Sequence, residues 1–332
     1  MSSAVLVLVE TDAHRVTETS LETLTFARDL VKRRDGAQSH ALLVGPVDAD
    51  LRATALSQLA DQGVDVVHVA QHDGLSAYSA ASWATAVVAA AAASSAAVVL
   101  APGTPRGSEI MAHVAARLDT AMAANVVAVG EVDPLVVSRQ VMGGAVLELM
   151  RLTGRPAVLT VAGHAVEPAS ADHSTQPEVN DLQMDLLETD LLGRVVRVEA
   201  IELDDTAALT GARVVIGAGR GAGSANGFDG LLELTRLLGG ALGVSRVVTG
   251  LGWRPHHEQV GQTGTRITPD IYIACGISGA IQHWAGCQGA KTILAINTDR
   301  DAPMVTRAHY AVIGDLHEIV PAVNEELQRR MG

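Results

Sequence analysis

Residues 245–299 read SRVVTGLGWRPHHEQVGQTGTRITPDIYIACGISGAIQHWAGCQGAKTILAINTD. Two β-type runs, DIYIA (270–274) and KTILAIN (291–297), flank a segment that opens on Gly276-Ile277-Ser278-Gly279 and continues in helix formers. Upstream stands a second glycine-punctuated loop, Gln259-Val260-Gly261-Gln262-Thr263-Gly264. A strand that runs into a Gly/Ser turn and then a helix leaves unpaired backbone N–H groups at the end of a sheet, where they suit a phosphate. The stretch predicts a nucleotide-type cofactor site in the C-terminal third.

At 332 residues the chain is long enough for two domains of roughly 100–200 residues each. Its residues are 48% hydrophobic but only 2% aromatic, so Ala, Val, Leu and Ile must build the core. A net charge of −13 argues against a nucleic-acid partner, because phosphate backbones are held by clustered Lys and Arg. Cys275 and Cys287 are the only cysteines. They are too few for a disulfide framework or a cysteine-based zinc site, and they fit a reducing compartment. Cys275 ends a predicted strand and reads as a small buried core thiol. The opening MSSAVLVLVE lacks a basic n-region and reads as a first strand rather than a signal peptide. The Ala-rich run 85–100 is interrupted by Ser94 and Ser95 and falls short of the ~20 residues of a membrane span. A soluble, cytoplasmic protein is expected.

Taken in order, the first half alternates. Strands are predicted at 4–10, 40–45, 64–70, 96–103 and 125–130, with helices at 17–34, 48–62, 79–93 and 109–118 between them. Val-rich strands spaced by helices imply a mostly parallel sheet covered on both faces. Residues 135–162 read as more purely β, with Gly143-Gly144 as a hairpin turn and Pro156 opening a strand. Residues 164–177 have the composition of a loop. The run GRVVRVEAIEL (193–203) reads as one edge strand leading to Asp204-Asp205. A boundary near 195–210 divides the chain into 1–205 and 206–332. The second part again alternates: ARVVIGA, a helix over 228–238, a short strand SRVVTG, DIYIA, a helix after Gly279, KTILAIN, HYAVIG and a last helix over 318–330. The fold class is α/β with two domains, and open sheets of this kind bind ligands at the carboxyl ends of their strands.

Among the candidate sites, Gly217-Ala218-Gly219-Arg220-Gly221-Ala222 fits the loose dinucleotide pattern. An ordinary nicotinamide site also places an acid at the end of the second strand. Here that strand is read as ending Thr249-Gly250, with no acid. Gly261, Gly264, Gly276 and Gly279 together, interleaved with Gln262, Thr263, Ser278, Gln282 and His283, point instead to a polar cradle. Arg246 reads equally as a surface ion-pair residue, and His283 as a structural histidine. No nucleophile elbow, Walker loop, paired carboxylates or metal-ligand spacing occurs.

With these residues in view, the C-terminal third resembles the α subunit of electron transfer flavoprotein, the FixB family. The resemblance is carried by LTGARVVIGAGRG, GVSRVVTG, QVGQTG, DIYIACGISGAIQH, KTILAINTD and YAVIGDLHEIVP, spanning about 209–321. It implies a doubly wound FAD-binding domain related to that of deoxyhypusine synthase. The N-terminal α/β domain is then expected to pair with a separate β subunit in a heterodimer. The complex is expected to carry electrons from dehydrogenases, often acyl-CoA dehydrogenases, to a membrane quinone oxidoreductase or another acceptor. The resemblance also implies that the FAD domain swivels on its linker.

Carried over residue by residue, the resemblance puts Arg220 and Ser245 near the phosphates and the approach to the isoalloxazine, with Arg246 over the ring. Gln259, Val260, Gln262, Thr263 and Gly264 wrap the isoalloxazine and ribityl chain. Ser278, Gly279, Ala280 and Gln282 hold the pyrophosphate and ribityl region. His283 faces the O2 side of the pyrimidine ring, and Asn297, Asp315 and Leu316 contact the adenosine end. The family pattern departs at Trp253-Arg254-Pro255-His256-His257, which carries more bulk and potential charge. A guanidinium about 4 Å from the ring contributes up to roughly 4 kcal/mol at an effective dielectric near 20. Since ~1.4 kcal/mol is ~59 mV for one electron, Arg246 is expected to move the potential by the order of 100 mV. Two rival readings stand beside this one: a bifurcating complex with a second FAD in the partner chain, whose α chain would look almost the same, and a flavin-free subunit that keeps only the fold, against which the intact Arg246, GQTG and SGAIQH argue. An NAD-dependent dehydrogenase is disfavoured by the missing ribose acid.

Overall fold

The computed structural model describes residues 4–12, 14–46, 48–142, 146–163, 165–197 and 209–331. The expected hairpin glycines Gly143-Gly144 and the linker acids Asp204-Asp205 lie outside these residues. Contacts divide the chain into two units, Met1–Val141 with Leu147–Ala200 and Met142–Val146 with Ile201–Gly332.

The first unit opens with β1 (Ala4–Leu8), α1 (Glu18–Lys32), β2 (Gln38–Val44), α2 (Ala49–Asp61) and β3 (Val66–Ala70). It continues with α3 (Ala80–Ala93), β4 (Ala96–Pro102) and α4 (Pro105–Arg117). Four strands follow without a helix between them, β5 (Met122–Val132), β6 (Leu135–Val141), β7 (Val146–Leu152) and β8 (Ala157–Val161), and β9 (Glu178–Asp181) comes last. Side-chain oxygens start the helices where the sequence supplies them. Asp48 accepts from Leu51 N–H at 2.8 Å, and Thr104 accepts from Gly107 N–H at 2.8 Å. Thr104 with Pro105 in the first turn explains why α4 begins four residues before the expected Glu109, since proline's fixed φ suits that position.

Nine strands form one sheet in the order β7-β6-β5-β8-β4-β1-β2-β3-β9. From β5 through β8, β4, β1, β2 and β3 to β9 every pairing is parallel, and β6 turns back antiparallel on β5. The strand period of two sorts β1 between two cores. Val5 and Val7 join α1 and α2 on one face, and Leu6 and Leu8 join α3 and α4 on the other. Each fully buried side chain of this size contributes about 1.5–3 kcal/mol. The edge strand is a correction. Within the expected 193–203 segment, residues 193–197 are not strand and the remainder lies outside the described residues. The edge is β9, whose polar EVND sequence pairs with β3 through its main chain (Val66 with Glu178 to Val69 with Asp181). An edge strand needs no apolar pattern to make those bonds.

The second unit contains β10 (Val214–Ala218), α5 (Asp229–Leu237), β11 (Ala241–Val244), α6 (Arg246–Gly250) and β12 (Ile271–Cys275). After these come α7 (Ile281–Cys287), β13 (Thr292–Asn297), α8 (Pro303–Arg307), β14 (Tyr310–Ile313) and α9 (Leu316–Met331). Its five strands are all parallel, in the order β11-β10-β12-β13-β14. α5 and α9 pack on one face and α7 and α8 on the other, so the sheet is doubly wound. The chain leaves β10 first toward β11 and then returns past it to β12. Loops on the two sides of β10 therefore diverge, which opens a crevice at the carboxyl ends of β10 and β12.

SRVVTG is a second correction. The strand is the preceding ALGV, which pairs with β10 from Val215–Ala241 to Ala218–Val244. Ser245 N–H makes the last cross-strand bond, to the Ala218 carbonyl at 3.0 Å. Beyond it β10 has ended, so the chain satisfies its own carbonyls, and 246–250 coils into a helix despite its β-branched residues. The second strand thus ends at Val244-Ser245, still without an acid.

The loops after β10 and β12 touch through their main chains. Gly219 N–H donates to the Cys275 carbonyl at 2.9 Å, and Gly221 N–H to the Gly276 carbonyl at 3.1 Å. A Cβ on Gly219 would lie 2.1 Å from the Gly276 oxygen. Gly219→Ala is therefore expected to destabilise the second unit by about 2 kcal/mol or more, read as a lower urea midpoint for its unfolding.

In the first unit His40 and His68 lie side by side on β2 and β3, with His40 Nδ1 3.0 Å from His68 Nε2, both rings buried. Burial holds both below the ordinary histidine value of 6.5, with the neighbouring ring adding to the effect on His40. Unfolded, each takes up a proton near that pH; folded, each stays neutral to lower pH. Their contribution is complete above pH 6.5 and is lost as pH falls toward the folded values, at about 1.4 kcal/mol per pH unit for each proton. The first unit should lose stability and unfold more readily as pH falls from 7 to 5, and the slope should be shallower in His68→Gln.

Candidate functional site

A cavity of about 890 Å³ lies at the carboxyl ends of all five strands of the second sheet, near the top of the range for small-molecule pockets. Arg220 and Gly221 follow β10, Ser245 and Arg246 follow β11, and Gly276 to Ser278 follow β12. The wall is completed by residues 296–299 from the end of β13, 314–317 after β14, and Ala280, Gln282 and His283 at the start of α7. Every strand end contributes because parallel strands all deliver their loops to the same edge.

Ten expected site residues line this space: Arg220, Ser245, Arg246, Ser278, Ala280, Gln282, His283, Asn297, Asp315 and Leu316. Gly279 lies behind the wall with φ +80°, and a Cβ there would meet the Met304 nitrogen at 2.4 Å; it allows α8 to pack close. Gln259, Val260, Gln262, Thr263 and Gly264 form a loop docked beside the wall. Gln262 N–H donates to the Gln282 carbonyl at 2.7 Å, and Val260 N–H to the Val244 carbonyl at 2.9 Å. Gln259 and Val260 are buried. The Gln259 amide is spent on bracing, accepting from Thr249 Oγ1 at 2.7 Å and donating to Thr263 Oγ1 at 3.1 Å. Gln262 and Thr263 are the exposed members of the loop.

The charges differ from those elsewhere in the unit. Arg213 and Lys291 both pair with Asp270, and Arg254 pairs with Glu258 at 2.6 Å. That last pair, half-sandwiched against Phe228, neutralises the extra charge of the Trp253-Arg254-Pro255-His256-His257 loop. Among the described residues no carboxylate pairs with Arg220 or Arg246, both exposed on the cavity wall. Two guanidiniums held without acidic partners, in a protein of net charge −13, make a site for an anion.

His283 supplies the complementary polar group. Its Nε2 lies 2.8 Å from Tyr272 Oη, while its buried Nδ1 has no hydrogen-bond partner among the described residues. Burial brings its pKa down to about 4, the Val260 backbone opposing in part, so the ring is neutral at physiological pH. Asn297 ties the walls together: its Nδ2 donates to the Ile277 carbonyl at 2.9 Å, and its Oδ1 accepts from Asp299 N–H at 3.0 Å. Cys275 and Cys287 are fully buried, with thiols pushed up to about 12 by burial, as expected of core residues. Among the described residues no cluster of His, Cys, Asp or Glu is fit to hold a metal ion.

Sequence reasoning passed over Thr298, Asp299 and His317, which line the cavity beside the Gly276 of the expected cradle. Their signal was position, within a few residues of a strand's carboxyl end. It also passed over Tyr272, which looks from sequence like any strand aromatic. An open anion-binding crevice, unpaired arginines, an unsatisfied imidazole nitrogen and glycine-only close contacts together fit a large phosphorylated cofactor with a polar ring.

Comparison with known proteins agrees with that fit. The electron transfer flavoprotein domain matches residues 5–187, and the electron transfer flavoprotein FAD-binding domain matches residues 208–288. The chain is 34% identical over 327 residues to the electron transfer flavoprotein subunit alpha of Mycobacterium leprae, covering 98% of this chain and 99% of that one. It is 32% identical over 313 residues to the subunit alpha of Thermoanaerobacterium thermosaccharolyticum, covering 93% of each. Protein FixB of Clostridium saccharobutylicum is 32% identical over 321 residues, with 96% and 94% covered. The second unit carries the FAD-binding domain of this family, whose matched span includes the loops bearing Arg220, Arg246 and His283. The chain therefore belongs to the electron transfer flavoprotein alpha-subunit (FixB) family.

Proposed function

We propose that this chain pairs with a β subunit, holds one FAD in the cavity of its second unit and acts as an electron carrier rather than as an enzyme that makes or breaks bonds in a substrate. In this reading the donors are dehydrogenases such as the acyl-CoA dehydrogenases, and the acceptor is a quinone oxidoreductase at the membrane. The first unit supplies the surface for the β subunit. The two buried free thiols fit a reducing compartment, so the place of work is the cytoplasm. Among the described residues no helix is long and apolar enough to cross a membrane.

The observation that carries the reading is the coincidence of the FAD-binding domain match with two unpaired arginines on one cavity. Bound FAD supplies the redox-active ring, and the protein supplies binding and electrostatics. Arg220, Ser278 and Ala280 serve the pyrophosphate. Arg246 meets the negative charge that reduction places on the ring, and the neutral His283 offers a hydrogen bond without competing charge. Asn297, Asp315 and Leu316 hold the adenosine end. The docked loop with Gln262 and Thr263 closes the ring side.

Co-purification with the β subunit should give a yellow heterodimer with one FAD per pair. Two FAD per pair would mean a bifurcating complex, and a colourless complex would leave only a structural subunit. Arg246→Ala should lower the first-electron potential by on the order of 50–100 mV, less than a dry site would allow because the side chain is exposed. Arg246→Lys should recover only part of it, for want of a planar group. An unchanged potential in spectroelectrochemical titration would remove Arg246 from the ring.

A further inference from the structure

Tyr272 is buried in full and heads the largest side chains of the core. It is a strand residue of β12, placed on the face shared with α7. Its ring fits only because position 217 on the neighbouring strand is glycine. A Cβ there would lie 2.2 Å from Tyr272 Oη. The first glycine of the Gly217-Ala218-Gly219 motif is therefore inside β10 and makes room for a phenol rather than turning the chain. That phenol makes one hydrogen bond among the described residues, to His283 Nε2 at 2.8 Å.

We propose that Tyr272 is a positioning residue: its hydroxyl donates to Nε2, fixes the neutral His283 ring with its proton on Nδ1, and keeps Nδ1–H as the donor for a carbonyl of the bound flavin ring. The proposal rests on the FAD reading of this cavity.

Two arrangements satisfy the 2.8 Å contact. If the imidazole donated through Nε2–H, the buried phenol hydrogen would be left with the nearby thiols of Cys275 and Cys287, which are weak acceptors. Nδ1 would then carry a lone pair, and it has no donor to receive. If the phenol donates, a single donor remains, Nδ1–H, on a ring that lines the cavity. Only this second arrangement leaves one unmet group, of the sign that a flavin carbonyl answers. The Val260 main chain approaches the same ring and favours its protonated form, but among the described residues no group stands in hydrogen-bond geometry to Nδ1. A buried, neutral donor of fixed orientation stabilises added electron density on its acceptor without the cost of burying a cation.

The test uses the heterodimer as purified with FAD, labelled with ¹⁵N-histidine, as wild type and as Tyr272→Phe. In wild type the His283 imidazole signals should show a protonated Nδ1 and an unprotonated Nε2. In Tyr272→Phe that single form should give way to the other form or a mixture. The first-electron potential should fall by the equivalent of about tenfold weaker preference for the reduced ring, ~59 mV, with FAD still bound. A wild-type complex that is yellow but carries its His283 proton on Nε2 overturns the proposal even if the Phe variant does not fold. So does a folded Tyr272→Phe protein with unchanged ¹⁵N signals and potential. A wild-type complex without FAD defeats the cofactor reading, and this proposal with it.

Discussion

The second unit depends on two main chains meeting at the carboxyl edge of its sheet. β10 and β12 are adjacent parallel strands, and the hydrogen bonds continue past their ends, from Gly219 to Cys275 and from Gly221 to Gly276. With no side chains in the way, the two loops can be knitted together at the point where the crossovers part. The cavity is the space left above that seam. Its floor is backbone, so its shape is rigid and its walls can be given over to polar side chains. A β-carbon at either glycine of the seam would push against backbone oxygen or carbon, which cannot swing aside.

On that floor the unit arranges its charges unequally. Six of its other basic groups are paired: Asp270 serves Arg213 and Lys291, Glu258 serves Arg254, Glu233 serves Arg236, and Glu326 serves Arg329 and Arg330. Arg220 and Arg246 are left facing the cavity. Beside them stands a histidine kept neutral by burial and by a phenol on one nitrogen. Fixed positive charge attracts a phosphorylated, reducible ligand, and a neutral donor orients it. A buried cation in place of the neutral imidazole would cost desolvation and would be repelled by the arginines.

Much of this architecture was legible in the chain. Where a run is rich in Val or Ile and set off by glycine or proline, as in 96–103 or 270–274, the parallel strand follows from burial on both faces. Where Asp48 or Ser79 precedes a periodic segment, the helix starts at the next residue. The misses share one cause. SRVVTG has strand-forming residues but lies beyond the last bond its neighbour can offer. EVND has only Val179, yet finds an open edge on β3. The five-residue α8 is too short to show a period, although Pro303 at its start was a cue.

The local chemistry of the amino acids is enough to name the alternation of strands and helices and the glycine loops that must approach one another. It also brings up Arg246 and His283 as residues to weigh, while leaving a surface ion pair and a structural ring as equal or better readings of each taken alone. It does not say which arginine goes unanswered, since Arg213, Arg254 and Arg246 look alike until their distances to carboxylates are set by folding. Nor does it reveal that Tyr272 and His283, eleven residues apart, share a hydrogen bond beneath the cavity. Ion pairing and proton placement depend on ångström-scale separations between distant segments, and those separations exist only once the sheet has closed.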